Sequence, residues 1–289
     1  MTDTTFSRQV QRWYDENARD LPWRTPEVGG WGVLVSEVML QQTPVARVVP
    51  AWESWMTRWP TPAALAAVAP GEAVREWGRL GYPRRALRLH EAATEIVARH
   101  GGVVPSAYDD LLALPGVGGY TAAAVAVFGY GGRHAVLDTN VRRVYARVFA
   151  GAQDAATSSP TRSEQETALA LVPTDEPAHY SVAVMELGAL VCTARDPRCG
   201  GCPVSGECTW LIAGRPEGLV VHKTQTYAGT DRQVRGRLLA VLRDAPDLVA
   251  KPELDVVWDD EVQRERSLSG LIEDGLVEPV GDDHFRLPT

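Results

Sequence analysis

The segment Leu114-Pro-Gly-Val-Gly-Gly-Tyr120 leads into Thr121-Ala-Ala-Ala-Val-Ala-Val127 and reads as a glycine-rich turn joining two helices. Glycine lets the backbone turn tightly with its N–H groups outward, and the N-terminus of the following helix adds a positive dipole. Together these make a cradle for a phosphate without any cationic side chain. A plain helix cap is the competing reading, and taken alone a turn of this kind is weak evidence.

Outward from this turn the first two-thirds of the chain has helical periodicity broken by Pro and Gly, with no long alternating run. We expect an all-α fold with helices at 5–17, 32–58, 62–69, 70–80, 84–100, 108–113, 121–128, 140–149, 162–171 and 177–191. Residues 214–230, rich in Gly and Thr, read as a linker. Beyond it, helices at 231–243, 251–257 and 261–274 precede two short strand patterns at 276–280 and 284–287, the outline of a winged helix.

All four cysteines, Cys192, Cys199, Cys202 and Cys208, fall in one short window with six, two and five residues between them. Disulfides spread along a chain to close loops, so this cluster reads as one metal centre with turns at Pro197, Gly200, Gly201, Pro203 and Gly206. Four thiolates suit zinc or a 4Fe-4S cluster. Zinc sites usually carry two CxxC pairs, and the single pair here moderately favours the cluster.

Composition is that of a globular chain: 289 residues, 45% hydrophobic and 23% charged. No apolar run is long enough for a membrane span, and the N-terminus lacks the order of a signal peptide, so a bacterial-type cytoplasm is expected. The net charge of −8 would ordinarily argue against a nucleic-acid partner, and sorted by region it predicts modest non-specific DNA affinity rather than none. It is unevenly spread, at −3 for residues 1–222 and −5 for 223–289. Lysine occurs only at Lys223 and Lys251, so the basic side chains before them are all arginines. Three local groups stand out, Arg84/Arg85/Arg88, Arg142/Arg143/Arg147 and Arg195/Arg198, and we expect them to grip a phosphate backbone.

Two carboxylates are candidates for chemistry. Glu37 is the only charged residue between Trp31 and Ala46, and apolar surroundings should raise its pKa towards that of a general acid near neutral pH. Asp138 precedes Thr139-Asn140-Val141, where its bland role is a helix N-cap, which does not exclude catalysis.

Leu21-Pro-Trp-Arg24, Ser36-Glu-Val-Met-Leu-Gln-Gln-Thr43, Leu80-Gly-Tyr82, Leu114-Pro-Gly-Val-Gly118, Leu137-Asp-Thr-Asn140 and the cysteine loop, in that order, resemble the adenine DNA glycosylases of the MutY type. These belong to the helix-hairpin-helix, or endonuclease III, superfamily. The resemblance covers residues 5 to about 212. It implies a glycosylase domain at 1–213, with a six-helix subdomain at 27–134 and a cluster subdomain from 1–26 and 135–213. The linker and a small winged-helix-like module at 231–289 follow, in place of the Nudix-like domain of many relatives.

The implied activity is hydrolysis of the N-glycosidic bond of adenine mispaired with 8-oxoguanine or guanine, after the nucleotide is flipped from double-stranded DNA. In that scheme Glu37 protonates adenine at N7 and Asp138 stabilises the sugar cation, with Tyr120 and Asn140 supporting them. Trp23, Arg24 and Leu40 line the adenine pocket, although Trp23 as plain core is a fair rival. Gln42 and Tyr82 wedge into the duplex, Gly116 and Gly118 meet its backbone, and the four cysteines hold a 4Fe-4S cluster.

Bifunctional relatives carry a hairpin lysine that cuts the strand through a Schiff base. Here that position is Tyr120, which implies a monofunctional enzyme without lyase activity. Pro83 departs from the family by replacing the usual second aromatic after Tyr82. The competing readings are a related glycosylase for mismatched thymine or oxidised pyrimidines, and a non-catalytic cluster-bearing DNA-binding protein. For the acidic terminal module we expect packing or a protein partner rather than DNA, the alternative being DNA reading through Gln263 to Arg266. The expected state is a nucleoid-associated monomer.

Overall fold

The computed structural model describes residues 3–218 and 227–289. In chain order it contains α1 (Asp3–Asn17), α2 (Gly29–Leu40), α3 (Val45–Arg58), α4 (Pro62–Ala66), α5 (Pro70–Trp77), α6 (Arg84–His100), α7 (Tyr108–Leu112), α8 (Gly119–Tyr130), α9 (Thr139–Val148), α10 (Arg162–Leu171), α11 (Pro177–Leu190) and α12 (Thr209–Ile212). Then follow α13 (Asp231–Asp244), β1 (Val249–Ala250), α14 (Lys251–Asp255), α15 (Glu261–Glu273), β2 (Glu278–Val280) and β3 (His284–Arg286). The expected helices at 84–100 and 162–171 coincide with α6 and α10. Their ends are chemically marked: Gly101 closes α6 at φ 62°, and Thr161 with Glu164 forms a capping box on α10.

The single helix expected over 32–58 is instead two helices, α2 and α3, broken at Gln41–Pro44. Gln42 takes a left-handed φ of 54°, Pro44 is the N-cap of α3, and Arg85 accepts the role of capping the last carbonyls of α2. The expected linker at 214–230 contains neither helix nor strand at 214–218 and 227–230, and its remainder lies outside the described residues.

Contacts group the described residues into two units whose limits differ from the expected subdomain limits. One comprises 3–33, 106–113 and 117–218, and the other 34–105, 114–116 and 227–289.

In the first unit α11 packs against α1, α8 and α9, and α7 packs on α8. That packing is why the hairpin helices group with the cysteine-loop side rather than with α3 to α6. Phe6, Val10, Val141, Val144, Tyr180 and Val184 form part of its core, with Phe6 and Phe149 edge-to-face at 5.0 Å between centroids. Two close approaches require glycine. A Cβ on Gly188 would lie 2.8 Å from Asn140 Cβ, and one on Gly30 would collide with the ring of Tyr130. Buried Glu186 accepts from both Arg19 and Arg24, each with an Nη2 contact of 2.7 Å, and these bonds hold its pKa down at about 2 against the effect of burial.

In the second unit α6 packs on α4 and α5, and the buried rings of Trp55 and Trp77 meet edge-to-face. The C-terminal segment has the expected helices and a hairpin, but β1 joins it as a third strand, giving an antiparallel sheet of order β1-β3-β2. This segment is fastened to α5. Arg243 donates to the carbonyls of Val74 and Gly78, Arg75 donates to those of Arg243 and Ala245, and the Gly71 N–H reaches Pro288 O at 2.8 Å.

Candidate functional site

Asp138 N-caps α9, its Oδ1 accepting from the Val141 N–H at 2.6 Å. Its other oxygen accepts from the Asn140 side-chain amide at 2.7 Å, and Asn140 Oδ1 accepts in turn from Arg143 at 2.8 Å. Capping and a preorganised carboxylate therefore coexist here. Burial raises the Asp138 pKa, while the Val141 and Asn140 hydrogen bonds and the Arg143 charge pull it back.

Tyr120 lies in the first turn of α8, packed with Tyr108 and Phe128 against Ala123, Ala124 and Val127. Gly116 needs its glycine twice over, because φ is 74° and a Cβ would come within 2.6 Å of Arg88 Cβ. Gly118 is the N-cap of α8, so the first amides of a twelve-residue helix begin there.

In the other unit Glu37 sits on α2 with 6% exposure, between Ser36 and Val38, both also buried. Leu40 is half-buried at the end of the same helix. Trp23 is buried at 8% exposure in a short 3-10 turn, Pro22–Arg24, and Arg24 is tied to Glu186 and stacks over Tyr14.

Gln42 and Tyr82 occupy two exposed turns, and both adopt left-handed backbone conformations, with φ of 54° and 48°. Such conformations cost a non-glycine residue free energy and persist only where neighbours hold them. Arg85 is the holder. It donates to the carbonyls of Val38 and Gln41 at 2.7 Å each, to Met39 at 3.1 Å, to Thr43 Oγ1 at 3.1 Å and to Gly81 O at 2.9 Å. Burial lowers its pKa to about 10. Sequence reasoning placed Arg85 among the phosphate-gripping arginines and missed this clamp. Nothing in the local sequence signals it, because the carbonyls of Val38, Met39 and Gln41 that it joins to Gly81 lie more than forty residues away.

The expectation that Arg142, Arg143 and Arg147 grip DNA is overturned. Their exposures are 7%, 8% and 1%. Arg142 pairs with Glu164, Arg143 donates to the carbonyls of Cys192 and Gly188, and Arg147 donates to those of Thr193 and Gln153. Their donors hold the cysteine loop and the 150s segment on α9. Arg84, Arg88, Arg195 and Arg198 remain exposed, Arg84 in a 3.1 Å ion pair with Asp274.

All four cysteines line one cavity, with apolar walls that include Val144, Val148, Leu187, Val191 and Val204. Arg147 reaches Cys192 Sγ at 3.4 Å and lies over Trp210. Burial pushes the Cys202 thiol up to about 11, so thiolates there call for a compensating positive centre. Four thiols lining one cavity fit a cysteinyl metal centre of the kind expected from their spacing.

The fold and the cysteine loop have counterparts among known proteins. Residues 35–171 match the model of the HhH-GPD superfamily base excision DNA repair proteins, and residues 192–208 match the iron-sulfur binding domain of endonuclease III. The adenine DNA glycosylase of Mycolicibacterium smegmatis is 55% identical over 280 residues, covering 96% of this chain and 94% of that protein. The chain belongs to the adenine DNA glycosylases.

This places it among the base-excision repair enzymes that bind DNA and carry a 4Fe-4S cluster. The adenine DNA glycosylase of Mycobacterium tuberculosis H37Rv is 54% identical, covering 96% of the chain and 91% of the relative. The human adenine DNA glycosylase is 40% identical over 213 residues, 71% of this chain but only 39% of that protein. Alignments of 280 residues with the mycobacterial glycosylases extend into the C-terminal segment. In solved structures the fold is shared with a thermostable thymine-DNA glycosylase, with a TM-score of 0.66 and 26% identity, covering 73% of this chain and 97% of that one. A non-covalent endonuclease III–DNA complex, 21% identical with a TM-score of 0.62, shares the fold over 75% of this chain and all of that one. Among the described residues no helix of the glycosylase is long and apolar enough to cross a membrane.

Proposed function

We propose that this glycosylase removes adenine mispaired with 8-oxoguanine or guanine, after the nucleotide has been flipped from the duplex, and stops at the abasic site. The observation that carries this reading is a pair of desolvated carboxyl groups, Glu37 at 6% exposure and Asp138 with its raised pKa. Glycosidic cleavage passes through an oxocarbenium-like transition state that needs one proton donor and one carboxylate. Glu37 delivers a proton to adenine N7, which turns the base into a neutral leaving group, and then accepts one from the attacking water. Asp138, held towards its ionised form by Val141, Asn140 and Arg143, stabilises the sugar cation.

In this reading Tyr120 and Asn140 support the carboxyls, and Trp23, Arg24 and Leu40 line the base pocket. Gln42 and Tyr82 enter the base stack, and the amides at Gly116 to Gly118 bind a phosphate. Cys192, Cys199, Cys202 and Cys208 hold the 4Fe-4S cluster, which fastens the loop when bound. The enzyme acts as a monomer at the bacterial nucleoid. Tyr120 stands where a Schiff-base lysine would be needed, and residues 1–222 contain no lysine at all. Arginine stays protonated and cannot replace it.

Single-turnover excision on duplexes carrying adenine opposite 8-oxoguanine, adenine opposite guanine, thymine opposite guanine, and an oxidised pyrimidine tests the assignment. Only the adenine duplexes should react. Glu37→Gln should lower the rate by roughly 10²–10⁴ while duplex binding is retained. Preferred excision of thymine would transfer the chain's activity to the reaction named for its thymine-DNA glycosylase neighbour, and efficient borohydride trapping would refute the monofunctional mechanism.

A further inference from the structure

Tyr82 is 49% exposed and has two guanidinium groups over its ring. One is the clamp, Arg85, at 5.6 Å. The other is Arg232, at 5.9 Å, from the first turn of α13 in the C-terminal segment. Both distances are within the range of a cation–π contact. Arg232 stands on a helix whose far end is anchored, in a segment whose C-terminus is anchored as well. Arg243 and Arg75 lock the far end of α13 onto α5, and Pro288 accepts from Gly71. Arg84 and Arg235 share Asp274.

The element that would read DNA in a winged helix is otherwise engaged. On α15, Gln263 donates to Gly229 O and Asp231, Arg264 to Asp255 and Trp258 O, and Arg266 to Asp231. These bonds engage the side chains through which the alternative of DNA reading by Gln263 to Arg266 would act. They also neutralise Asp231, the acidic neighbour of Arg232, whose pKa is held down at about 2 by Arg266 and Gln263.

We propose that the C-terminal module is part of the DNA-reading surface, with Arg232 contacting a backbone phosphate beside the point where Tyr82 enters the base stack. This rests on the reading of Tyr82 as the wedge. An exposed guanidinium resting on the ring is positioned to stay with it and to turn its donors onto a phosphate oxygen. The acidity of the remaining module confines attraction to this one edge, which explains how a segment of net charge −5 can serve a DNA enzyme.

The test uses the full-length, cluster-loaded chain and fluorescence anisotropy across a salt series. The duplex carries adenine opposite 8-oxoguanine, with the adenosine 2′-fluorinated to suppress cleavage. Arg232→Ala should raise Kd about three- to tenfold near 0.1 M salt and lower the slope of log K against log salt by about 0.9. Arg232→Glu should lose more. Arg237→Ala is the control, since Arg237 lies on the same helix over Trp258, and it should stay within about twofold of the wild type. The Tyr82→Ala and Arg232→Ala losses should be less than additive when combined. An unchanged Kd and slope for Arg232→Ala, equal losses for Arg237→Ala, or full additivity would each overturn the proposal. A wild-type chain that binds this duplex but excises no adenine would instead refute the proposed function, leaving the Arg232 comparison readable.

Discussion

The arginines of α9 and those around Tyr82 have opposite fates, although the sequence presents Arg142, Arg143 and Arg147 and Arg84, Arg85 and Arg88 alike as basic clusters. Arg142, Arg143 and Arg147 are buried and give their donors to backbone carbonyls and Glu164. Arg88 and Arg232 are exposed, and Arg85 stands between the two cases, half-buried and clamping two turns. A guanidinium has five donors in a planar fork, so it can join several loop carbonyls at once as readily as it can meet a phosphate. Arginine content is therefore no measure of a DNA-binding surface. In this glycosylase one set builds the scaffold that carries the cysteines and Asp138, and the other surrounds the residue proposed to probe the duplex.

The largest effect should come from the scaffold set. Arg147→Ala leaves the carbonyls of Thr193 and Gln153 without their donor inside the fold, at a cost of roughly 3–5 kcal/mol. Denaturant midpoints and visible absorbance near 400 nm, a rough expectation for cysteinyl iron–sulfur centres, measure it. A variant that keeps both would show that the buried set is dispensable.

Next comes the acid limb of stability in the same unit. The Glu186 carboxyl is depressed from 4.5 to about 2, so the stability it contributes is complete above pH 4.5 and is lost as pH falls towards 2. The linked amount is roughly 3 kcal/mol. Urea melts from pH 6 down to pH 2 should be steeper in pH for the wild type than for Glu186→Gln. Parallel curves would remove Glu186 from the account.

Arg85→Ala should cost about 1–3 kcal/mol and weaken binding to a mismatched duplex more than binding to a matched one, because both wedge turns lose their clamp. Equal weakening on the two duplexes would mean that Arg85 acts only as scaffold. The smallest effect belongs to the exposed set. Arg88→Ala should leave stability within about 0.5 kcal/mol of wild type and lower the salt slope of DNA binding by about 0.9. A melting shift as large as that of Arg147→Ala would collapse the distinction between the sets.

Short-range features were legible in the sequence because their chemistry is local. The glycine turn, the Asp138 cap, the cysteine spacing and the Gly101 and Thr161 helix ends each depend on residues within a few positions of one another. The break between α2 and α3 was not, although Pro44 marks its far side. A proline is tolerated at a helix start, and what ends α2 is a guanidinium more than forty residues later in the chain. Glu37 was conspicuous as a lone charge in an apolar run, and its burial follows from that pattern.

By itself the sequence determined the helical class, the cysteine centre, the two candidate carboxyls and the absence of lysine before residue 223. Only the tertiary structure decided which arginines are interior, how the turns of Gln42 and Tyr82 are held, and that the C-terminal segment brings Arg232 to Tyr82. The reason is physical. Caps, turns and ligand spacings are set by neighbours along the chain, whereas the partner of a long flexible cation is whichever carbonyl, carboxylate or ring the packing brings within its reach.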